Sequence, residues 1–312
     1  MAFRAFPRDL SRINQFDART LAAFREALRR YGKASWVTGV TIAIKQRRNQ
    51  LSTIDGPVIA IHVTKKLRPG DVPRSRSIPR RIGGIPTDVV GGSFTMTGGG
   101  AGVAVPGQAP IELRPGVSIG RQDGTSSTMT GVVAQPDGTR MLLCTAHALQ
   151  EGSHDDPGDP IVHPGPTDSA NPQVVARYTD VNLDVDAGIA ELEPGVLAVN
   201  ITRVTQVSVL SPVYSAVGAI LEMNGRSTPT VQGQVTGAGF IQGLYPAMTI
   251  RRLPGHPKPI TLPGDSGGLW YDLTTHEASG LHVGINKKTG DALATMLPYV
   301  LTEMPGGPLT WL

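Results

Sequence analysis

Pro263-Gly264-Asp265-Ser266-Gly267-Gly268-Leu269-Trp270-Tyr271-Asp272-Leu273 is the most informative stretch of this 312-residue chain. A serine set between glycines on a tight turn keeps its hydroxyl clear of neighbouring side chains. The same turn can aim the backbone N–H groups of Gly264 and Ser266 at one point, where a tetrahedral oxyanion would be stabilised. By itself, a glycine-rich loop carrying a serine is a common structural turn. A serine hydroxyl is also a weak nucleophile until a base takes its proton, so the reading depends on what else the chain supplies.

Upstream, His147 sits in Leu142-Leu143-Cys144-Thr145-Ala146-His147-Ala148-Leu149. That is the end of an apolar strand, where a side chain can project from a rigid element into a cleft. A lone histidine in such a place is otherwise a satisfied structural residue. A base of this kind needs an acid to fix its tautomer and stabilise its charged form. Asp186 in Val185-Asp186-Ala187-Gly188-Ile189-Ala190-Glu191-Leu192 is preferred over Asp184, because the apolar run starts directly after it.

Working outward, 38 Gly and 26 Pro with little helical periodicity after the first 35 residues indicate a mainly β protein of short strands and turns. One helix is predicted over 17–31, with Asp17 as N-cap, Leu21, Phe24, Leu28 and Tyr31 along one face, and Gly32 as stop. Strands are expected at 37–46, 56–66 and 85–90. Residues 1–92 therefore read as a basic α+β N-terminal module and 93–112 as a Gly-rich connector. From 113 to 312 short apolar segments recur, at 114–120, 130–149, 185–192, 233–240 and 279–286, which implies a barrel or sandwich. No internal repeat is evident in the sequence.

In order, Thr145-Ala146-His147, Asp186-Ala187-Gly188-Ile189-Ala190-Glu191-Leu192 and Gly264-Asp265-Ser266-Gly267-Gly268 resemble the triad signature of trypsin-like serine proteases. Subtilisin-like and α/β-hydrolase arrangements run in other orders. Over residues 114–304 the resemblance implies a trypsin-like double β-barrel of two six-stranded barrels, with the triad in the cleft between them. It implies a serine endopeptidase that cuts protein or peptide substrates through an acyl-enzyme and needs no cofactor or metal. Stretches 37–46, 56–66, 85–90, 114–120 and 158–166 are similar to a non-secreted trypsin-like group that includes bacterial enzymes and the plant narrow-leaf protease.

Departures from that pattern carry their own expectations. Cys144 stands where a small hydroxyl residue is usual and reads as a buried small side chain. No activation cut site precedes the barrel region, so either Asp265 has a partner other than a new N-terminus, an arginine being the expected one, or the enzyme rests in an incompetent state until something binds. In the specificity pocket, Ile260 replaces the acidic base that directs trypsin to Arg and Lys. Thr261 with His282 resembles the pairing by which glutamyl endopeptidases hold an acidic side chain, and a core role for His282 is the competing reading.

The single cysteine, Cys144, excludes an intrachain disulfide and fits a reducing compartment. With no secretory-type start and no apolar run of membrane length, the expectation is a cytoplasmic protein without a membrane partner. Charge is split: residues 1–92 hold 18 Lys and Arg against 6 Asp and Glu, giving +12, and 93–312 hold 11 against 19, giving −8. The basic segment suits an acidic polymer or an activating partner, or equally its own acidic half. The alternative function is thus a latent or inactive protease-like scaffold that binds a partner protein or nucleic acid through residues 1–92. His154-Asp155-Asp156-Pro157-Gly158-Asp159 lacks the periodic carboxylates of a calcium loop and reads as a solvated turn.

Overall fold

The computed structural model describes residues 16–47, 50–51, 56–96, 112–150 and 156–312. The central part of the Gly-rich stretch (97–111) and two residues of the candidate turn (154–155) lie outside the described residues.

The N-terminal helix α1 (Ala18–Tyr31) starts where the sequence sets it, with the Asp17 carboxylate accepting from the Thr20 N–H at 2.6 Å. It buries Ala23, Phe24, Ala27 and Leu28. Then follow β1 (Val37–Ile44), a two-residue-strand hairpin of β2 (Gln46–Arg47) and β3 (Gln50–Leu51), β4 (Pro57–Val63), β5 (Arg81–Ile82), β6 (Ile85–Gly91) and β7 (Phe94–Met96). The continuous apolar run Val58-Ile59-Ala60-Ile61 of β4, buried on both faces, pairs antiparallel with β1 and parallel with β6.

Next, β8 (Glu112–Leu113) leads into the first barrel unit. Its strands are β9 (Ser118–Arg121), β10 (Ser127–Thr128), β11 (Gly131–Ala134), β12 (Arg140–Cys144), β13 (Pro160–His163), β14 (Gln173–Asn182) and β15 (Ala187–Leu192). Helix α2 (Ala146–Leu149) follows β12, and β16 (Leu197–Ala198) pairs parallel with β8. Hydrogen bonding runs β10-β9-β13-β14-β15-β12-β11. Two backbone bonds of 3.0 Å, Gly116 N–H to Met129 O and Met129 N–H to Val117 O, continue the β9–β10 pairing to Met129, from which the chain passes into β11 at the other end of the sheet.

The second barrel comprises β17 (Ile220–Asn224), β18 (Val231–Ile241), β19 (Leu244–Arg252), β20 (Leu269–Asp272), β21 (Ala278–Asn286) and β22 (Ala292–Met296), followed by α3 (Leu297–Glu303) and β23 (Thr310–Trp311). Its order β17-β20-β21-β22-β19-β18 closes by pairing β18 back onto β17. Counting β10 and β11 as the two arms of one bent second strand, both units place the first strand next to the fourth, followed by the fifth, sixth, third and second. The chain thus repeats one barrel topology that no sequence repeat announces. Strand β23 returns to pair with β11 of the first unit, tying the units together.

Strand β18 is long enough to serve two sheets. Its first half closes the barrel, and Gly237–Ile241 pairs with β1, so the N-terminal strands extend the barrel's own sheet. Phe24 and Leu28 of α1, Ile42, Ile59 and Ile61 share one core with Val235, Met248, Ile250 and Trp270 of the barrel. Each such side chain contributes roughly 1.5–3 kcal/mol through burial, so this module is bonded to the barrel by packing as well as by pairing. No helix among the described residues is long and apolar enough to cross a membrane.

His62 on β4 lies buried in this added sheet, with Nε2 3.0 Å from Thr41 Oγ1 and no hydrogen-bond partner for Nδ1 among the described residues. Burial pushes its pKa down to about 4 from 6.5. Between those values the unfolded chain binds more protons than the folded one. Stability present above pH 6.5 is therefore lost as the pH falls toward about 4, by about 3 kcal/mol for this group. Urea midpoints taken at about pH 7.5 and about pH 4.5 are expected to drop accordingly, and the drop is expected to shrink in His62→Gln.

Candidate active site

Three separate elements bring the sequence-predicted residues to one point. His147 stands on the short helix α2, one step beyond the apolar strand β12, and its side chain keeps 17% of its surface exposed. Asp186, 3% exposed, is the last residue before β15. Its backbone takes φ +49°, a left-handed conformation that costs a non-glycine residue on the order of 1–3 kcal/mol and is held only by its surroundings. One carboxylate oxygen accepts from the His147 backbone N–H at 3.0 Å and the other sits 2.7 Å from His147 Nδ1. The far ring nitrogen, Nε2, lies 2.9 Å from Ser266 Oγ. Asp184, the rival in sequence, is exposed, and its backbone N–H donates to Asn182 Oδ1 at 3.0 Å.

The carboxylate fixes the tautomer. With Nδ1–H donating to Asp186, Nε2 is left with its lone pair facing the serine hydroxyl, and this is the arrangement a base requires.

Ser266 sits in the loop between the second barrel's third and fourth strands, and that loop is stitched to the first unit. The Thr128 N–H donates to Ser266 O at 2.8 Å, Thr128 Oγ1 donates to Gly264 O at 2.8 Å, and Thr130 Oγ1 donates to Gly267 O at 2.6 Å. Gly267 carries φ +91°, and a Cβ there would fall 1.9 Å from Thr128 O. Only glycine permits that approach, so the glycine after Ser266 is what lets the two barrel units meet at the site. The threonines escaped the sequence reading because they lie 136 and 137 residues from their partners and belong to no local motif.

Asp265 is fully buried and its carboxylate accepts three backbone N–H bonds, from Ser227 and Thr228 at 2.9 Å and from Leu262 at 2.7 Å. Burial pushes its pKa up while these amide bonds pull the other way. Of the arginines, Arg203 acts on Asp265 through charge, while Arg226, next in chain to Ser227, gives its guanidinium to both oxygens of Asp168. That pair is buried on both sides, and the Arg226 backbone N–H donates to Thr128 Oγ1 at 3.0 Å. The loop is held by the chain's own amides, with no new N-terminus involved. Cys144 donates weakly from Sγ to Thr128 O at 3.2 Å, and burial pushes its thiol up to about 12, which keeps it protonated and unreactive.

Ile260, Thr261 and His282 are all fully buried. Trp270 Nε1 donates to His282 Nδ1 at 3.4 Å, which leaves the ring proton on Nε2. Burial first, and then the neighbouring His147, push the His282 pKa down to about 3, so this ring is neutral. Thr261 Oγ1 has no hydrogen-bond partner among the described residues.

No protein-family model matches the chain, and no curated protein matches it. Among solved structures it is similar to a glutamic acid specific serine protease, with a TM-score of 0.49 and 18% identity over 64% of this chain and 100% of that one. Thermobifida fusca protease A gives 0.48 and 15% over 64% and 99%. A Cellulomonas bogoriensis chymotrypsin gives 0.45 and 14% over 64% and 98%. The strand order of the two units, with His147 and Asp186 carried on one and Ser266 on the other, is what defines the architecture: this chain has the trypsin-like double-barrel fold of the chymotrypsin-like serine proteases.

Proposed function

We propose that the chain is a serine endopeptidase in which Ser266 is the nucleophile, His147 the general base and acid, and Asp186 the group that orients the histidine. The observation that carries this reading is the unbroken hydrogen-bonded path from Asp186 Oδ2 through both ring nitrogens of His147 to Ser266 Oγ, at 2.7 and 2.9 Å. His147 Nε2 takes the hydroxyl proton as Ser266 Oγ bonds to a substrate carbonyl carbon. The N–H groups of Gly264 and Ser266 receive the charge that develops on the carbonyl oxygen. The proton then passes from His147 to the leaving amine as the C–N bond breaks. Water, deprotonated by the same ring, releases the acyl group.

Labelling of the purified full-length chain by a small fluorophosphonate tests this. Wild type is expected to label and the Ser266→Ala and His147→Ala variants are not. An unlabelled wild type would overturn the reading.

The finer part of the proposal is a preference for an acidic residue before the scissile bond. It is supported by the buried Thr261 hydroxyl, a donor for a carboxylate that has no hydrogen-bond partner among the described residues. The contact with Trp270 fits a core role for His282. A peptide library separates the two: enrichment of Glu or Asp at that position is the expected profile, and its absence assigns His282 to the core.

A further inference from the structure

Strand β21 ends its contact with β20 early. The β20 ladder stops at Leu281, while β22 continues along the other edge to Ile285. From Val283 onward one edge of β21 is thus left over by the barrel itself. That edge begins at the proposed nucleophile, because Val283 O lies 3.4 Å from Ser266 Oγ.

The chain's own β7 occupies this edge. Phe94, Thr95 and Met96 pair antiparallel with Asn286, Ile285 and Gly284. Lys287 N–H donates to Ser93 O at 3.1 Å, and hydrogen-bonded pairs alternate along an antiparallel ladder, so Thr95 and Ile285 form the next bonded pair. The Phe94 N–H, in the intervening position, donates instead to Gln242 Oε1 at 2.5 Å. Phe94 anchors the strand in the barrel core, whereas Met96, at the end nearest Ser266, is 54% exposed. The approach is close: a Cβ on Gly284 would fall 2.1 Å from Thr95 O, so glycine at 284 is needed for a strand to lie here. As β7 runs from Phe94 to Met96 it steps along Asn286, Ile285 and Gly284 toward Val283. Its direction therefore leads straight to the reacting hydroxyl, which is itself fully buried.

An extended polypeptide reaches a point beside a sheet edge most readily by adding to that edge as a strand, since main-chain bonds then supply affinity whatever the side chains. We propose that β7 is a built-in substrate-like strand: it occupies the edge of β21 on which a polypeptide substrate must lie, and the enzyme is held back until β7 leaves. This rests on the serine endopeptidase reading above, and the tests keep the two apart.

Thr95→Pro removes the N–H of a bonded pair and weakens β7 without touching the triad. Wild type and variant are compared for labelling by a small alkyl fluorophosphonate, which needs no sheet edge, and for hydrolysis of fluorescein-labelled casein. Both are expected to label, and the variant is expected to show kcat/KM on casein raised about tenfold or more. Labelling of both proteins with kcat/KM of the variant equal to or below that of wild type overturns the proposal. Loss of labelling in the wild type instead overturns the catalytic reading. A second measurement needs no mutation: hydrogen exchange of the wild-type chain after Ser266 has reacted with a tetrapeptidyl phosphonate or with the small alkyl one. The backbone amide of Thr95 is expected to lose protection with the peptidyl group alone, while Ile285 stays protected. Unchanged protection of Thr95 with the peptidyl group attached sinks the idea.

Discussion

Ser266→Ala is expected to lower kcat by about a millionfold, the size of loss seen when the nucleophile of a comparable triad is removed, equivalent to about 8 kcal/mol of transition-state stabilisation. In the proposed mechanism the loss is this large because the oxygen that would form the covalent bond disappears, and no neighbour replaces it. Cys144 is buried, protonated and bonded toward Thr128 O. The thermal midpoint is expected to move little. Alanine fits the space of serine, and the bond lost at His147 Nε2 is made by a partly exposed ring that water can satisfy, so the cost is within about 1 kcal/mol. Single-turnover kinetics on a peptide substrate, with calorimetry beside it, checks both halves. A residual rate within about tenfold of wild type would remove Ser266 from the mechanism.

Asp186→Asn is the second large effect, and it tests geometry with almost no change of shape. The Asp186 carboxylate accepts at both oxygens, from the His147 backbone N–H and at Nδ1. An amide keeps one acceptor and turns an N–H toward Nδ1. The ring then moves its proton to Nε2, where it can no longer accept from Ser266, and kcat is expected to fall about 10⁴-fold. The same substitution at exposed Asp184, two residues away, is expected to leave kcat unchanged. Equal losses at both positions would mean that local disruption, not the tautomer, is responsible.

Much of the site was legible because its chemistry demands particular residues in short local patterns. The glycines around Ser266 mark a turn that a larger side chain would block, and the preference for Asp186 over Asp184 followed from where the apolar run begins. The helix cap at Asp17, the stop at Gly32 and the strands of the N-terminal segment were readable from local periodicity for the same reason. The hydrogen-bonding partners of Asp265 were not. An arginine was expected, and Arg203 does act on the carboxylate through charge, but its hydrogen bonds come from three backbone amides, groups that every sequence contains and none advertises.

The sequence by itself determined the identities, the chain order of His147, Asp186 and Ser266, and the class of fold, because hydrophobic alternation and turn chemistry act between near neighbours. Only the tertiary structure decided how those pieces meet: the repeated barrel order, Thr128 and Thr130 clasping the Ser266 loop from across the cleft, β18 shared between the barrel and β1, and β7 lying on β21. Each of these joins residues far apart in the chain through backbone groups, and backbone groups carry no sequence signal.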